Sequence, residues 1–285
     1  MSTALKLTLH QAPAAQGLRW IQLGWQVFRQ APLALSSLLA LFLLMAALLQ
    51  VLGLVGALLG LAALPLVSLA FMLSAHQLLQ KRMPSWQVLA QPFKLTRERS
   101  HAQLRIGLLY VICTVSVMSL GNWIDGGRFD ALQEALAQAG QDSASQKAAE
   151  AALAAALADP NFFWAALVRL GGVLLISIPF WHAPALVHWG GQGALQALFS
   201  STLGVWRNKA AFALNGLAWL GLLLAASLAL ALVAGLFGAP GLLPLLVMPL
   251  TLFLASVFYA GLYFMFVDSF RFVAAEVEPA PPVQA

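Results

Sequence analysis

The sequence predicts an all-α fold: a polytopic bundle of six transmembrane helices, with additional amphipathic helices at the membrane surface. Three observations lead to this prediction. Of the 285 residues, 61% are hydrophobic and 9% are charged, whereas soluble domains carry about 25% charged residues. The hydrophobic residues are gathered into long runs, and about 20 of them in a row are enough to cross a bilayer. Lysine and arginine are dense after some of these runs and sparse after others, as in proteins that cross a membrane repeatedly.

The first predicted element is an amphipathic helix that follows a short polar tail, residues 1–15. Over residues 17–30 the apolar residues recur at helical spacings of three and four, and two arginines occupy the neighbouring face. A helix of this composition lies in the plane of the membrane surface. The residues expected at the lipid headgroups are Arg19, Trp20, Trp25 and Phe28. Residues 192–209 predict a second such helix, in which Trp206 and Arg207 take the same position.

The first two spans come from a single apolar run. From Ala31 to Leu79, over 49 residues, the chain contains no Asp, Glu, Lys or Arg. This length predicts two helices joined by a tight turn. Gly53 and Gly56 are the candidates for that turn, and Pro65 is expected to kink the second helix.

The other four spans are separated by polar segments. A mainly acidic, alanine-rich insertion at 124–160 predicts a helical hairpin outside the hydrocarbon. Its last two residues, Asp159 and Pro160, provide the next helix with a capping acid and a proline in the first turn. The four spans cover residues 103–123, 162–187, 210–236 and 242–267.

The chain is thus predicted to form one membrane domain, residues 16–272, between two tails. The C-terminal tail, residues 273–285, is acidic and rich in proline, and we expect it to be disordered. The same composition begins near Asp268, so disorder is expected from about that residue.

The distribution of lysine and arginine predicts the orientation. The segments on the N-terminal side of the membrane carry three, six, two and one of them, twelve altogether, against Arg128 and Lys147 on the other side. Arg169 falls inside a span and is not counted. This asymmetry places both termini in the cytoplasm. Because the basic residues flank apolar runs, the expected partner is an anionic lipid headgroup and not nucleic acid.

The sequence contains no motif of a known catalytic centre. Gly-x-Ser-x-Gly, His-Glu-x-x-His, the phosphate-binding glycine loop and Cys-x-x-Cys are all missing, and the one cysteine, Cys113, lies in an apolar run. We therefore predict no enzymatic activity, metal or cofactor. No Asp or Glu falls well inside a predicted span, which weighs against proton coupling through a buried carboxylate.

Candidate functional residues are concentrated in the fourth span. Arg169 lies about one third of the way into it, where a cation costs up to roughly 2.5–3.5 kcal/mol. It either extends to the membrane surface, the favoured interpretation, or forms a buried anion or ligand site. The other candidates are Pro179, Trp181, His182, Pro184, His188 and Trp189. Either these aromatic and imidazole groups face the lipid as anchors, or the two prolines open the helix and His182 turns inward.

Two wider patterns are present. Segments beginning at Gly17, Ser85 and Gly193 each place tryptophan and basic residues ahead of a span, which suggests a threefold internal repeat of the kind found in transporters. Residues 181–189, Trp-His-Ala-Pro-Ala-Leu-Val-His-Trp, resemble the signature of a family of bacterial six-helix inner-membrane proteins with no assigned activity. Similarity to that family extends over most of residues 10–272.

The resemblance implies topology and a bacterial inner-membrane location, and it implies no mechanism. The layout is also similar to the membrane domain that accompanies some bacterial glycerophosphodiester phosphodiesterases, but the sequence has no counterpart of their catalytic metal-binding domain.

The favoured function is a membrane scaffold, or an envelope-assembly or binding protein, with a membrane protein or a second copy as partner. The alternatives are a transporter or channel for a small or amphipathic solute, and a membrane enzyme that uses the histidines. A continuous polar cavity from Arg169 to His182 would favour transport, whereas a sealed apolar bundle would favour a scaffold.

The predicted orientation can be tested with reporter fusions. We expect a reporter fused after Arg271 to be active only if it requires the cytoplasm, and one inserted near Ser143 to be active only if it requires the periplasm. The reverse pattern at either position would contradict the orientation derived from lysine and arginine.

Overall fold

The computed structural model describes residues 5–139, 142–236 and 243–274, and this part of the chain is almost entirely helical. Six of its helices are long and apolar enough to cross a membrane. The predicted all-α membrane bundle is therefore confirmed. In chain order the elements are β1 (Leu5–Leu9), α1 (Gln16–Gln30), α2 (Pro32–Leu49), α3 (Leu54–Leu79), α4 (Arg97–Asp125), α5 (Arg128–Gln138), α6 (Ser143–Ala158), α7 (Pro160–Phe180), α8 (Ala183–His188), α9 (Ala194–Arg207), α10 (Lys209–Leu236), α11 (Leu243–Ser269) and β2 (Phe270–Ala274).

Successive spans alternate in direction, so the segments that connect them lie in turn at one end of the bundle and at the other. The spanning elements are α2, α3, α4, α7 with α8, α10 and α11. We call the end that carries β1 and β2 the strand end, and the end that carries α5 and α6 the hairpin end. Helix α3 lies centrally and packs against α2, α4, α8 and α11, while α4 and α7 form a second close pair.

The turn between α2 and α3 is where the sequence predicts it. Gly53 has a φ of 58°, a conformation that glycine adopts without strain. A β-carbon on Gly56 would lie 1.6 Å from the carbonyl oxygen of Leu49, so this position also requires glycine. Pro65 lies inside α3, and the Ser68 hydroxyl donates to its carbonyl oxygen at 2.7 Å.

Helix α1 is part of the bundle and packs against α10 and α11. Gly24 makes the closest approach, since a β-carbon there would lie 2.8 Å from the Val257 carbonyl oxygen and 2.9 Å from the Gly261 nitrogen. Trp20 is fully buried, whereas Trp25 is 40% exposed. Phe28 is also buried, so the expectation that Trp20 and Phe28 face the lipid headgroups is wrong.

Trp20 is buried because α1 has two apolar faces, and the one that carries Trp20 packs against the bundle. The predicted lipid-facing stripe contains Phe28, which is buried, and Leu18, which is 44% exposed. The stripe through Gly17 and Gly24 permits backbone contact with the neighbouring helices, and close packing in a membrane favours such small residues. Arg19 remains exposed. The bundle, and not the bilayer alone, thus determines which face of α1 is buried.

The two strands form an antiparallel pair at the strand end. Leu5 pairs with Ala274, and the register continues to Leu9 opposite Phe270. These contacts correct the expectation of a tail at residues 1–15 and of disorder from Asp268. They also correct the C-terminal boundary of 273–285, because residues 273–274 belong to β2; residues 275–285 lie outside the described part of the chain.

Side chains tie this pair to the helices. The Asp268 carboxylate accepts hydrogen bonds from Trp20 Nε1 and Gln16 Nε2, both at 2.7 Å. Asn208 accepts from the Ala12 nitrogen at 2.7 Å and donates to the His10 carbonyl oxygen at 3.0 Å. The N-terminal segment is therefore fixed to the ends of α9 and α11.

The predicted hairpin at 124–160 is present as α5 and α6, which pack against each other. At the start of α6, Asp142 accepts a hydrogen bond from the Ser145 nitrogen at 2.7 Å, and this bond holds the pKa of the Asp142 carboxyl below its ordinary value. Asp159 caps α7 by accepting from the Asn161 nitrogen at 2.8 Å, with Pro160 in the first turn. The helix start predicted at Asp159–Pro160 is confirmed.

The threefold repeat is incomplete. Helix α9 agrees with the second predicted amphipathic helix, and its Trp206 and Arg207 are exposed. After Ser85, however, the chain forms only two short 3₁₀ turns, Trp86–Leu89 and Gln91–Phe93. Pro92 has no amide hydrogen, so a regular helix cannot continue through this segment.

The contact between α1 and α11 can be tested at Gly24. We expect Gly24→Ala to lower stability by about 1–3 kcal/mol, because the new methyl group overlaps backbone atoms of α11. The control is Gly216→Ala on α10, where a β-carbon meets nothing within 4 Å; this change should be neutral or stabilising. Thermal unfolding of the detergent-purified protein compares the two, and equal effects would contradict the tight contact.

Candidate functional site

The fourth span is interrupted near the strand end. Helix α7 ends at Phe180, α8 begins at Ala183, and Trp181 and His182 lie between them. Pro184 has no amide hydrogen, so the helix cannot continue through it with regular hydrogen bonds. The predicted opening of the helix is therefore found at Trp181 and His182, just before Pro184.

Ser201 of α9 replaces the helical hydrogen bond that is lost at this break. In a continuous helix the His182 nitrogen would donate to the Ile178 carbonyl oxygen. Instead, the Ser201 hydroxyl accepts from the His182 nitrogen at 3.1 Å and donates to the Ile178 oxygen at 3.0 Å. A single side chain from another helix thus satisfies both backbone groups.

Helix α4 provides partners for two further carbonyl groups of this segment. Gln103 is fully buried and donates through Nε2 to the Pro184 carbonyl oxygen at 2.8 Å. Arg99 donates to the His188 carbonyl oxygen at 3.0 Å. A backbone group inside a membrane protein needs such partners because lipid cannot supply them. Together, Ser201, Gln103 and Arg99 hold the broken segment in place.

His182 points into the bundle. Its side chain is fully buried, and its ring centre lies 5.8 Å from that of Phe212, 5.9 Å from Phe266 and 5.7 Å from Phe270. Neither ring nitrogen has a hydrogen-bond partner among the described residues. The interpretation of His182 as a lipid-facing anchor is therefore wrong.

The neighbouring candidates pack around the same break. Trp189 is half-buried and lies 5.2 Å from Phe266, while Trp181 lies 5.5 Å from Phe212, both measured between ring centres. His188 is half-buried. The structure thus gathers the signature residues 181–189 at the strand end and uses most of them for packing.

Arg169 lies apart from this group, at the hairpin end. It is 6% exposed, and its Nη1 donates to Asp125 Oδ2 at 2.7 Å. Its Nη2 donates to Asn122, and the guanidinium lies 4.6 Å from the ring centre of Phe129. The expectation that Arg169 extends to the membrane surface is wrong, because a partner carboxylate and amide reach it inside the bundle.

Asp125 is a site residue to which the sequence analysis assigned no role. It is fully buried at the end of α4 and also accepts from the backbone nitrogens of Gly127 and Phe129. Gly126 and Gly127 have positive φ angles, which let the chain fold back over the carboxylate. An Asp-Gly-Gly sequence at the end of a span, together with an unpaired arginine in the next span, was the available signal.

Several cavities lie between the spanning helices, and two of them differ in polarity and share lining residues. The lateral groove, about 610 Å³, is bounded by α2, α3 and α11 and includes Leu39, Phe42, Leu64, Val67, Leu252 and Tyr259 in its wall. It opens sideways, since its rim residues Leu43, Leu44 and Met248 are 46%, 56% and 70% exposed.

The second cavity, which we call the tyrosine chamber, has a volume of about 290 Å³. It is bounded by α3, α4, α7 and α11, and its wall includes the polar residues Ser68, Tyr110, Ser177, Trp181 and Tyr259. Leu64 and Tyr259 line both cavities, so the groove and the chamber share a wall. Neither Arg169 nor His182 is among the described lining residues of either one.

The described residues include no group of three His, Cys, Asp or Glu side chains that could hold a metal ion. The six long apolar helices define a multi-pass integral membrane protein. The chain is similar to a probable inner membrane protein of Burkholderia thailandensis, with 27% identity over 261 residues that cover 90% of this chain and 92% of that protein.

No family model and no solved structure matches the chain. The helical architecture and this similarity agree on the same location: the protein is a multi-pass protein of the inner membrane.

The ion pair can be tested with a double-mutant cycle. We expect Arg169→Met or Asp125→Asn alone to cost about 3–5 kcal/mol, because each leaves the other buried group without its partner. The double variant should recover most of that loss. Unfolding of the purified protein measures each term.

The control for this cycle is Arg128→Met. Arg128 pairs with Asp159 at 2.7 Å, but its side chain is 49% exposed, so its loss should cost less than about 1 kcal/mol. Additive effects of Arg169→Met and Asp125→Asn would contradict a coupled buried pair.

Proposed function

We propose that this protein is a lipid-binding scaffold of the bacterial inner membrane, and that it holds lipid hydrocarbon in the lateral groove. The groove itself supports this most directly. Its described lining residues carry no charge, and Thr251 and Tyr259 are the polar ones among them. Ligand pockets typically enclose about 300–1,000 Å³ with largely apolar walls, and this volume is within that range.

The groove lies at the depth of the lipid chains, which are therefore the molecules that can enter it. Leu64 lies near the middle of α3, and Leu252 and Tyr259 lie in the central part of α11. A sideways opening between the middles of spanning helices faces hydrocarbon, where lipid chains are the abundant apolar molecules. The occupant is therefore a lipid chain, and the role is binding.

The arrangement of polar groups favours a scaffold over the alternative of a transporter or channel. Arg169 is enclosed by Asp125, Asn122 and Phe129, and His182 is enclosed by aromatic rings. A path for a polar solute would require polar groups along a water-filled cavity. The interruption between α7 and α8 is the feature that favours transport. Its free backbone groups at His182 and Ile178 are already hydrogen-bonded to Ser201.

The strand end is proposed to face the cytoplasm and to contact anionic headgroups. Exposed basic residues are concentrated there, and each contributes about 1 kcal/mol of attraction near an anionic surface. They are Arg19, Arg29, Lys81, Arg82, Lys94, Arg97, Arg105, Arg207, Lys209 and Arg271. A scaffold also needs a second component, which we take to be a membrane protein or a second copy of this chain.

The signature at residues 181–189 has a structural role in this proposal. Its residues form the break, present carbonyl groups to Gln103 and Arg99, and pack His182 into the bundle. A family that shares this segment would share the break and its supporting side chains. The resemblance therefore concerns architecture, and it assigns no chemistry.

Photolabelling tests the proposed lipid binding. The full chain is placed in nanodiscs with a phospholipid that carries a diazirine in its acyl chain, and the labelled residues are mapped by mass spectrometry. We expect labelling of the groove that excess unlabelled phospholipid suppresses. Ala255→Phe, which places a ring in the groove, should reduce it several-fold.

The matched control is Ala229→Phe on the exposed surface of α10, which should leave groove labelling unchanged. Labelling that follows exposure alone, resists competition and is insensitive to Ala255→Phe would count against the proposed function. Uptake of a polar solute by proteoliposomes containing the protein would instead support the transporter.

A further inference from the structure

We infer that the groove and the tyrosine chamber form one binding site for a single-chain neutral lipid with a small hydroxyl or carbonyl head. The chain would occupy the groove and the head would occupy the chamber. This inference rests on the proposed lipid binding and adds the chemical class of the ligand. The observation behind it is that two cavities of different polarity share Leu64 and Tyr259 as a common wall.

The chamber provides both kinds of hydrogen-bonding group. The Ser68 hydroxyl donates to the Pro65 carbonyl oxygen at 2.7 Å, and the Ser177 hydroxyl donates to the Val173 oxygen at 2.8 Å. Each serine has committed its hydrogen to its own helix and retains oxygen lone pairs as acceptors. The hydroxyl groups of Tyr110 and Tyr259 can donate. A hydroxyl head would be satisfied by both groups, and a carbonyl head by the tyrosines.

The charge of the head follows from the depth of the chamber. Tyr110 lies near the middle of α4, and Ser177 lies within the broken fourth span. The described lining residues of the chamber include no Asp, Glu, Lys, Arg or His. An ionised head at this depth would have no counter-charge and would be strongly disfavoured. The head is therefore uncharged.

The chamber also limits the size of the head. Its volume of about 290 Å³ is enclosed partly by Phe180, Trp181 and Phe258. A phospholipid can place an acyl chain in the groove, but its charged headgroup does not suit the uncharged chamber. The favoured occupant is a long-chain alcohol, or a carbonyl compound of similar shape.

Three matched probes separate the head from the chain. Palmityl alcohol, palmitic acid and the corresponding hydrocarbon each carry a diazirine at the end of the chain that would enter the chamber. The full chain is labelled in nanodiscs, and unlabelled palmityl alcohol is the competitor. We expect the alcohol probe to label residues of the chamber, and palmitic acid to label them far less.

Conservative variants then test the hydrogen bonds. The concentration of unlabelled alcohol that halves total labelling should rise roughly two- to twelve-fold in Tyr110→Phe or Tyr259→Phe, which corresponds to the loss of one hydrogen bond. Total labelling is compared so that reaction of the probe with a tyrosine hydroxyl does not decide the result. Tyr263→Phe is the control, because its hydroxyl contacts His76 and does not line the chamber.

The outcomes are distinguishable. If the hydrocarbon competes as well as the alcohol while groove labelling stays saturable, the neutral-head inference is overturned and the proposed lipid binding stands. Palmitic acid that binds as tightly as the alcohol in alkaline buffer, where its carboxyl group is ionised, would also overturn it. If no probe labels the groove or the chamber saturably, both proposals fail together.

Discussion

Hydrocarbon offers no hydrogen-bond partner to a backbone group, and the chain meets this constraint with side chains at two places where a spanning helix stops. At the break after α7, Ser201 takes the place of a helical hydrogen bond, and Gln103 and Arg99 cover two further carbonyls. At the hairpin end, the Asp125 carboxylate accepts from two backbone nitrogens and pairs with Arg169. At both places the same side chains also connect separate parts of the chain.

These ties divide the molecule into layers. Polar contacts occupy the two ends of the bundle, where Asp268 and Asn208 join the N-terminal segment to α9 and α11, and Asp125 joins α4 to α7. The middle layer is packed with apolar residues and contains the lateral groove and the tyrosine chamber. Under the proposed function, lipid chains enter the lateral groove from the side, through the bilayer.

Local features of the sequence predicted local features of the fold. The six spans follow from uncharged length, the turn at Gly53 from glycine, and the start of α7 from Asp159 and Pro160. What could not be predicted depends on which helices become neighbours. The partner of Arg169 is known only once α4 lies beside α7, and the buried face of α1 only once Gly24 meets Gly261.

The candidate site shows the same division. The prolines predicted an opened helix, and the opening is found, but the inward direction of His182 depends on Phe212, Phe266 and Phe270 from other elements. The alternation of leucine with polar residues over 5–9 was a readable strand pattern, although five residues are too few to predict a strand without its partner. The chain is synthesised from its N-terminus, and this order has a consequence for α1. Helix α1 leaves the ribosome long before Gly261, by about 10–50 s at roughly 5–20 residues per second, so its amphipathic surface lets it wait at the membrane until α11 arrives.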